Sequence, residues 1–260
     1  MKLAKRLILL LFVLSIIKIV ADNKQNLGQA YRNYKHRKEP VTLQQKSEHM
    51  ITFLDKEGER ASLCTGTAIG PHSLLTASHC NDGDGPDHHD TVTLDLSTQH
   101  FHLLAEAEDG RDHVIYLLDG PAFTNYLPES DLLNVKPPVK GEVVYLCGDG
   151  LGAYPPVCRW GVPNDADNQS DVSDVDKAQG MQYFTIAVLP GDSGSAVFGK
   201  DGRVAAILTY GVDAVDRTTP SEAAAGFGLN FKKSVLDKAA TFSIDDIEAD
   251  LAAKEAEARK

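Results

Sequence analysis

The sequence is short of positive charge. Its 26 lysines and arginines face 37 aspartates and glutamates, for a formal net charge of −11. A general binder of phosphate backbones wants a basic face, so no nucleic-acid partner is expected. No two of the four cysteines have C-x-x-C spacing, which argues against a zinc or dithiol redox site. The acidic stretch "NDGDGPDHHD" (81–90) lacks EF-hand spacing and reads as an exposed loop. No metal and no cofactor are expected. No internal repeat of solenoid type is present. The longest apolar run, Leu7 to Ile17, is broken only by Ser15 and ends at Lys18, too short for a comfortable membrane span.

That run does have a use. Lys2, Lys5 and Arg6 precede it and the small Ala21 follows, the layout of a cleaved secretory signal over residues 1–21. Its removal takes away four positive charges and leaves a still more acidic chain. A secreted, extracellular protein without stable membrane insertion is expected; retention of the segment as an anchor is the alternative. Residues 22–49, with "YRNYKHRKEP" at 31–40, read as a propeptide or loosely attached arm. An oxidising compartment makes disulfides the leading use of four cysteines, with three possible pairings.

The 260 residues suit one large domain or two halves packed as a unit. From Met50 onward short apolar runs alternate with turns: "MITFL" (50–54), "TVTLDL" (91–96), "HVIYLL" (113–118), "EVVYLC" (142–147), "MQYFTIAVL" (181–189), "SAVF" (195–198) and "VAAILTY" (204–210). Period-two alternation with β-branched and aromatic residues predicts an all-β, antiparallel sandwich or barrel. Asp-Gly pairs at 109–110, 119–120 and 201–202 mark turns between strands. "ESDLLNVKPPVKG" (129–141) reads as a linker between halves. Residues 231–240 and 243–260 read as helix, the latter with Ser243 and Asp246 at capping-box spacing. A second acidic stretch, 164–176, holds the glycosylation tripeptide at Asn168.

Two segments carry chemistry. "GDSGSAVF" (191–198) sets Ser193 on a tight, glycine-flanked loop ahead of a strand. A serine alcohol needs a base, and the base needs an orienting acid. "CTGTAIGPHSLLTASHC" (64–80) supplies a histidine after an apolar run and between two cysteines. This segment resembles the histidine box of the chymotrypsin-like serine proteases, and its opening is nearer the bacterial, glutamyl-endopeptidase-type branch than digestive trypsins. "DHVIYLLDG" (112–120) resembles the family's acid-led strand. Asp112 is the expected acid, with Asp109 and Asp119 as rivals. His79, Asp112 and Ser193 stand in the family's chain order, and the resemblance spans about residues 50–240.

The resemblance implies two packed six-stranded antiparallel barrels with a C-terminal helix. The expected divisions are 1–21, 22–49, an N-terminal barrel 50–128, a C-terminal barrel 129–240 and a charged helical tail 241–260. It implies Cys64–Cys80 across the histidine loop, leaving Cys147–Cys158 to pin a hairpin tip. The backbone N–H groups of Gly191 and Ser193 would form the oxyanion hole. Asp192 should be buried and paired, either with a freed amino terminus or with an internal cation; no "IVGG" is present to supply the former.

Family comparison places Ala187 and Val188 at the base of the primary pocket, Thr209, Tyr210 and Gly211 along its wall, and Gly226 near its back. No acid lies at the base, so selection for Lys or Arg is not expected. Leu208 and Thr209 stand where glutamyl enzymes place a histidine, so a small or medium apolar residue before the cleaved bond is expected. The implied protein is a monomeric serine endopeptidase acting on proteins or peptides, the alternative a protease-shaped binding protein without catalysis.

Overall fold

A computed structural model describes residues 42–81, 89–120, 122–133, 137–139, 141–164, 180–212 and 223–245. The signal segment, residues 22–41 of the arm, the centres of both acidic stretches with Asn168, and the tail beyond Asp245 lie outside the described residues.

Alternation builds the first half. β1 (Glu48–Leu54), β2 (Arg60–Gly70), β3 (Ser73–Ala77), β4 (Thr91–Leu94), β5 (Phe101–Glu108) and β6 (His113–Leu118) close into a barrel in the order β1-β2-β3-β6-β5-β4. Every pairing is antiparallel, including the closing pair β1–β4. Closure leaves no exposed sheet edge. Ile51, Phe53, Leu74, Val92, Leu94, Val114, Tyr116 and Leu118 fill the barrel interior.

A short helix, α1 (Leu43–Ser47), enters this barrel with Thr42 as its N-cap. Gln44 donates to the Gly202 carbonyl (3.1 Å) and Gln45 to that of Pro156 (2.9 Å), so the entry is tied to the second half.

After α2 (Glu129–Leu132), the second half comprises β7 (Val144–Gly148), β8 (Val157–Gly161), β9 (Pro163–Asn164), β10 (Met181–Phe184), β11 (Ala196–Phe198), β12 (Val204–Val212) and β13 (Ala223–Phe227). These strands form a seven-stranded sheet, ordered β8-β7-β11-β12-β13-β10-β9, that curls into a half-barrel. α3 (Lys233–Thr241) follows, and the described course ends at Asp245.

A third cluster fuses the halves. Along β3 and β6, successive side chains point to opposite faces. Leu74, Val114 and Tyr116 enter the first barrel, while Leu75, Ile115 and Leu117 face outward. The outward set packs on Ala196, Phe198, Val204 and Ile207 of the second sheet and on Leu236, Ala239 and Phe242 of the C-terminal segment. This explains why β6 is buried at every position and why "HVIYLL" shows no polar alternation. Each fully buried Leu, Ile or Phe contributes about 1.5–3 kcal/mol. The cluster therefore resists sliding of one half over the other.

Two disulfides are present, Cys64–Cys80 and Cys147–Cys158. Both are the expected pairs.

Candidate active site

The barrel register creates the first part of the site. Ala77 at the end of β3 pairs with His113 at the start of β6. The chain leaves β3 into a single 3-10 turn, Ser78–Cys80, just as the opposite strand begins after Asp112. His79 and Asp112 therefore meet across the rim. His79 Nδ1 donates to Asp112 Oδ2 at 2.7 Å, and the His79 backbone N–H donates to Oδ1 at 2.9 Å. A carboxylate only accepts, so Nδ1 carries the hydrogen and Nε2 is the basic nitrogen on the far side of the ring. Ser78 Oγ adds a third bond to Oδ1 (3.1 Å), and the Asp112 carbonyl accepts from Ser78 N–H (3.0 Å). Burial works to raise the Asp112 pKa, but His79 and Ser78 outweigh it and hold the carboxyl below its ordinary 3.8.

The two rival acids each hold another histidine. Asp109 Oδ2 accepts from His113 Nδ1 (2.8 Å), and Asp119 Oδ2 from His102 Nδ1 (2.8 Å). A fourth pair joins His49 to Asp95 at 2.6 Å. Exposure sets only the Asp109 pair apart, since His102 and Asp119 are 64% and 35% accessible. The His113–Asp109 side chains are 0% accessible, whereas His79 is 41% accessible and can meet a substrate.

The loop 191–195 crosses from the second half onto this rim. Thr65 N–H donates to the Ser193 carbonyl (2.8 Å), and Thr65 Oγ1 donates to that of Gly191 (2.8 Å). Gly194 has φ +84°, and a Cβ there would lie 2.1 Å from Thr76 Oγ1 and 2.9 Å from Ala77 N. Only glycine permits both that conformation and that approach. The loop is thereby seated on the strand end that carries His79. Among the described residues no hydrogen bond joins His79 to Ser193. Such bonds are often long without substrate and tighten in the reacting complex.

The loop amides divide cleanly. Those of Asp192, Gly194 and Ser195 donate to the carbonyls of Leu189, Leu208 and Asp192 at 3.0, 2.8 and 2.9 Å. The amides of Gly191 and Ser193 take no backbone acceptor among the described residues. Gly191 has φ +99°, a conformation in which a side chain would be strained.

Asp192 is fully buried and its partner is Arg159, on β8. Its carboxylate also accepts from the amides of Gly150 (2.9 Å) and Leu189 (2.6 Å). Arg159 spends a second N–H on the Ala187 carbonyl (3.1 Å). Sequence reasoning left this partner open. The available signal was an arginine in the inward phase of "VCRWG", a strand face that otherwise buries Gly161.

Asp149, the residue before Gly150, is buried with neither carboxylate oxygen hydrogen-bonded. Thr65 has already used its hydroxyl hydrogen on Gly191. Burial, with Asp95 and Asp192 nearby, pushes Asp149 up to about 7. Burial likewise pushes Glu48 well above the usual glutamate value, partly offset by the Thr67 hydroxyl at 2.9 Å.

The expected pocket residues fall on two elements and a loop. Thr209 occupies a β-bulge in β12, with its hydroxyl oxygen buried and unpaired. Tyr210 donates its OH to Met181 Sδ (2.9 Å), and Gly211 pairs with Ala224. Gly226 pairs with both Leu208 and Gln182, and a Cβ there would lie 2.0 Å from the Ile207 carbonyl. Val188 packs inside the second half with Leu208 and Ala224. Gln182, which no sequence motif singles out, presents a buried, unpaired Oε1 opposite Gly226. Among the described residues no group of side chains could hold a metal ion.

A closed barrel and a curled half-barrel, with a histidine–aspartate pair and a glycine-flanked serine at their seam, define the chymotrypsin-like fold. The chain belongs to the trypsin-like peptidase domain family, whose model matches residues 64–207, more than half of its length. No curated protein matches the sequence. Among solved structures it is similar to an inactive-form serine-to-alanine mutant of Rv3671c from M. tuberculosis H37Rv, at 18% identity and TM-score 0.53, covering 77% of this chain and 90% of that one. It is also similar to HL collagenase, at 13% identity and TM-score 0.54, covering 76% and 94%. Likeness at these identities is likeness of fold.

Proposed function

We propose that the protein is a secreted serine endopeptidase in which His79, Asp112 and Ser193 form the catalytic triad. The observation that carries this reading is the 2.7 Å bond from His79 Nδ1 to Asp112, made at the rim where the nucleophile loop docks. His79 Nε2 takes the Ser193 proton as the alcohol attacks the peptide carbonyl, then returns it to the leaving amine. Asp112 holds the tautomer and stabilises the imidazolium. The amides of Gly191 and Ser193 receive the oxyanion; losing one such donor typically costs about 3 kcal/mol of transition-state stabilisation. The acyl-enzyme is then hydrolysed by water through the same base.

The pairing of Asp192 with Arg159 supports a loop ordered without an inserted amino terminus, so activity need not await exposure of a new one. Ala187, Val188, Thr209, Tyr210, Gly211 and Gly226 carry no charge, which supports preference for a small or medium apolar residue before the cleaved bond. Leu208 supplies no cation for glutamate, so kinship with the bacterial branch rests on "CTGTAIGP" and not on shared specificity.

Cleavage-site profiling on a proteome-derived peptide mixture tests the reading. The purified protein should cut after small apolar residues, and Ser193→Ala should cut at background rate. Equal cleavage by both would refute the assigned nucleophile; cleavage mainly after Glu, Lys or Arg would refute the pocket.

A further inference from the structure

Of the three histidine–aspartate pairs outside the proposed chemistry among the described residues, one brackets Asp112 in sequence. Asp109 and His113 flank Asp112 in sequence, and their side chains are 0% accessible. They cannot touch a substrate. Their bonds instead frame the turn that presents Asp112. Asp109 Oδ1 accepts from the Arg111 amide at 2.8 Å, and Oδ2 accepts from His113 Nδ1 at 2.8 Å. The backbone closes the same turn through Asp109 N–H to the His113 carbonyl at 3.1 Å. Oδ2 also accepts the Asn230 amide at 2.8 Å, and the Asn230 side chain donates to the Asp109 carbonyl at 3.4 Å. Arg111 reaches the Gly228 carbonyl at 3.4 Å. The turn is thus anchored to the segment that follows β13 in the second half.

Such anchoring has a purpose. Asp112 sits at φ 62°, a left-handed conformation that is uncommon outside glycine, that aspartate tolerates better than most, and that packed surroundings help to hold. The bonds at 109 and 113 close the turn that carries this backbone. His113 Nε2 is buried without a partner, so the imidazole serves this frame through Nδ1 alone. The burial of Asp109 works to raise its pKa, but His113 and the amides of Asn230 and Arg111 outweigh it and hold the carboxyl below its ordinary 3.8. It is therefore charged when it accepts these bonds at neutral pH.

We propose that Asp109 and His113 are positioning residues of the peptidase, holding Asp112 in its left-handed backbone conformation and coupling it to the second half through Asn230. This rests on the triad reading above. It assigns the pair an effect on the rate of serine activation and none on ligand binding.

The test is inactivation by a fluorophosphonate, which reads serine reactivity without depending on side-chain specificity. Asp109→Asn should lower kinact by about 10- to 100-fold, the scale of an ångström-level misplacement, with KI within about two-fold. In an Asp112→Asn background the same change should cost less than about three-fold, because the two residues act through one interaction. His113→Asn keeps a donor near Nδ1 and should stay within about three-fold of the parent, whereas His113→Phe should fall as Asp109→Asn does.

An unchanged kinact in Asp109→Asn, or an equal loss in both backgrounds, would overturn the proposal. If Asp109→Asn does not fold, the His113 variants decide, and equal rates for Asn and Phe would overturn it. Ser193→Ala separates the two readings. Labelling of that variant at the parental rate removes the triad and the positioning role together. A silent Ser193→Ala beside a fully active Asp109→Asn removes the positioning role alone.

Discussion

Asp112 shows how much one backbone angle carries. At φ 62° its carboxylate receives the His79 side chain, the His79 amide and the Ser78 hydroxyl. Asp112→Asn keeps the shape but replaces an acceptor with a donor, which favours the wrong imidazole tautomer. Turnover on a sensitive peptide should fall by about 10⁴-fold with little change in stability; a loss under ten-fold would contradict the role. The sequence named this acid by its place at the head of an apolar strand, yet Asp109 and Asp119 sat within reach of the same reasoning. The structure separates them because each holds a different histidine. Period-two pattern tells which face a residue takes, but not which of several nearby carboxylates a turn delivers to a given ring. The same limit hid Thr65, whose amide and hydroxyl fasten the Ser193 loop to the first barrel.

Among elements, the turn after β7 buries an unpaired carboxyl. The carboxylate of Asp149 is buried there without a hydrogen-bond partner, near Asp192, Asp95 and Glu48, with Arg159 as the nearby cation. Its folded pKa of about 7 lies above the ordinary 3.8, so the folded state holds this proton more tightly than the unfolded chain does. The group's contribution is fully present below about pH 4 and is lost as pH rises to about 7, by at most roughly 1.4 kcal/mol per pH unit. Glu48 acts in the same direction; Asp109 and Asp112, whose values are lowered, act oppositely and lose their contribution as pH falls below the ordinary range. Asp149→Asn should therefore gain about 2–4 kcal/mol relative to the parent on going from pH 4.5 to pH 7.5, read by urea unfolding at each pH. The same relative stability at both would contradict it. The strands themselves were legible, since β-branched alternation and Asp-Gly turns recur through both halves. Asp149 was not legible, because burial of a polar turn depends on what the distant loop at 189–192 packs against it.

For the whole molecule, the shared core is the organising feature. β3 and β6 send one face into their own barrel and the other into the seam, where Leu236, Ala239 and Phe242 close the cluster. The sequence placed the charged tail from residue 241 onward, yet Phe242 is buried in this seam. The helical readings over 231–240 and 243–260 gave no sign of it, because a single aromatic between two helices has no period to declare its partner. Phe242→Ala should lower unfolding stability by roughly 3–5 kcal/mol, the usual cost of emptying an aromatic site in a core. A loss below 1 kcal/mol in denaturant unfolding would show that the seam does not depend on it.

The two-half architecture matters for chemistry because histidine and acid come from one half and serine from the other. The most direct measurement is the site and rate of covalent labelling by a fluorophosphonate, read by mass spectrometry of the intact and digested protein. One equivalent should attach to Ser193, none should attach in Ser193→Ala, and His79→Ala should label at a small fraction of the parental rate. Absence of label on the folded parent, or equal labelling after loss of His79, would contradict an alcohol activated across the seam.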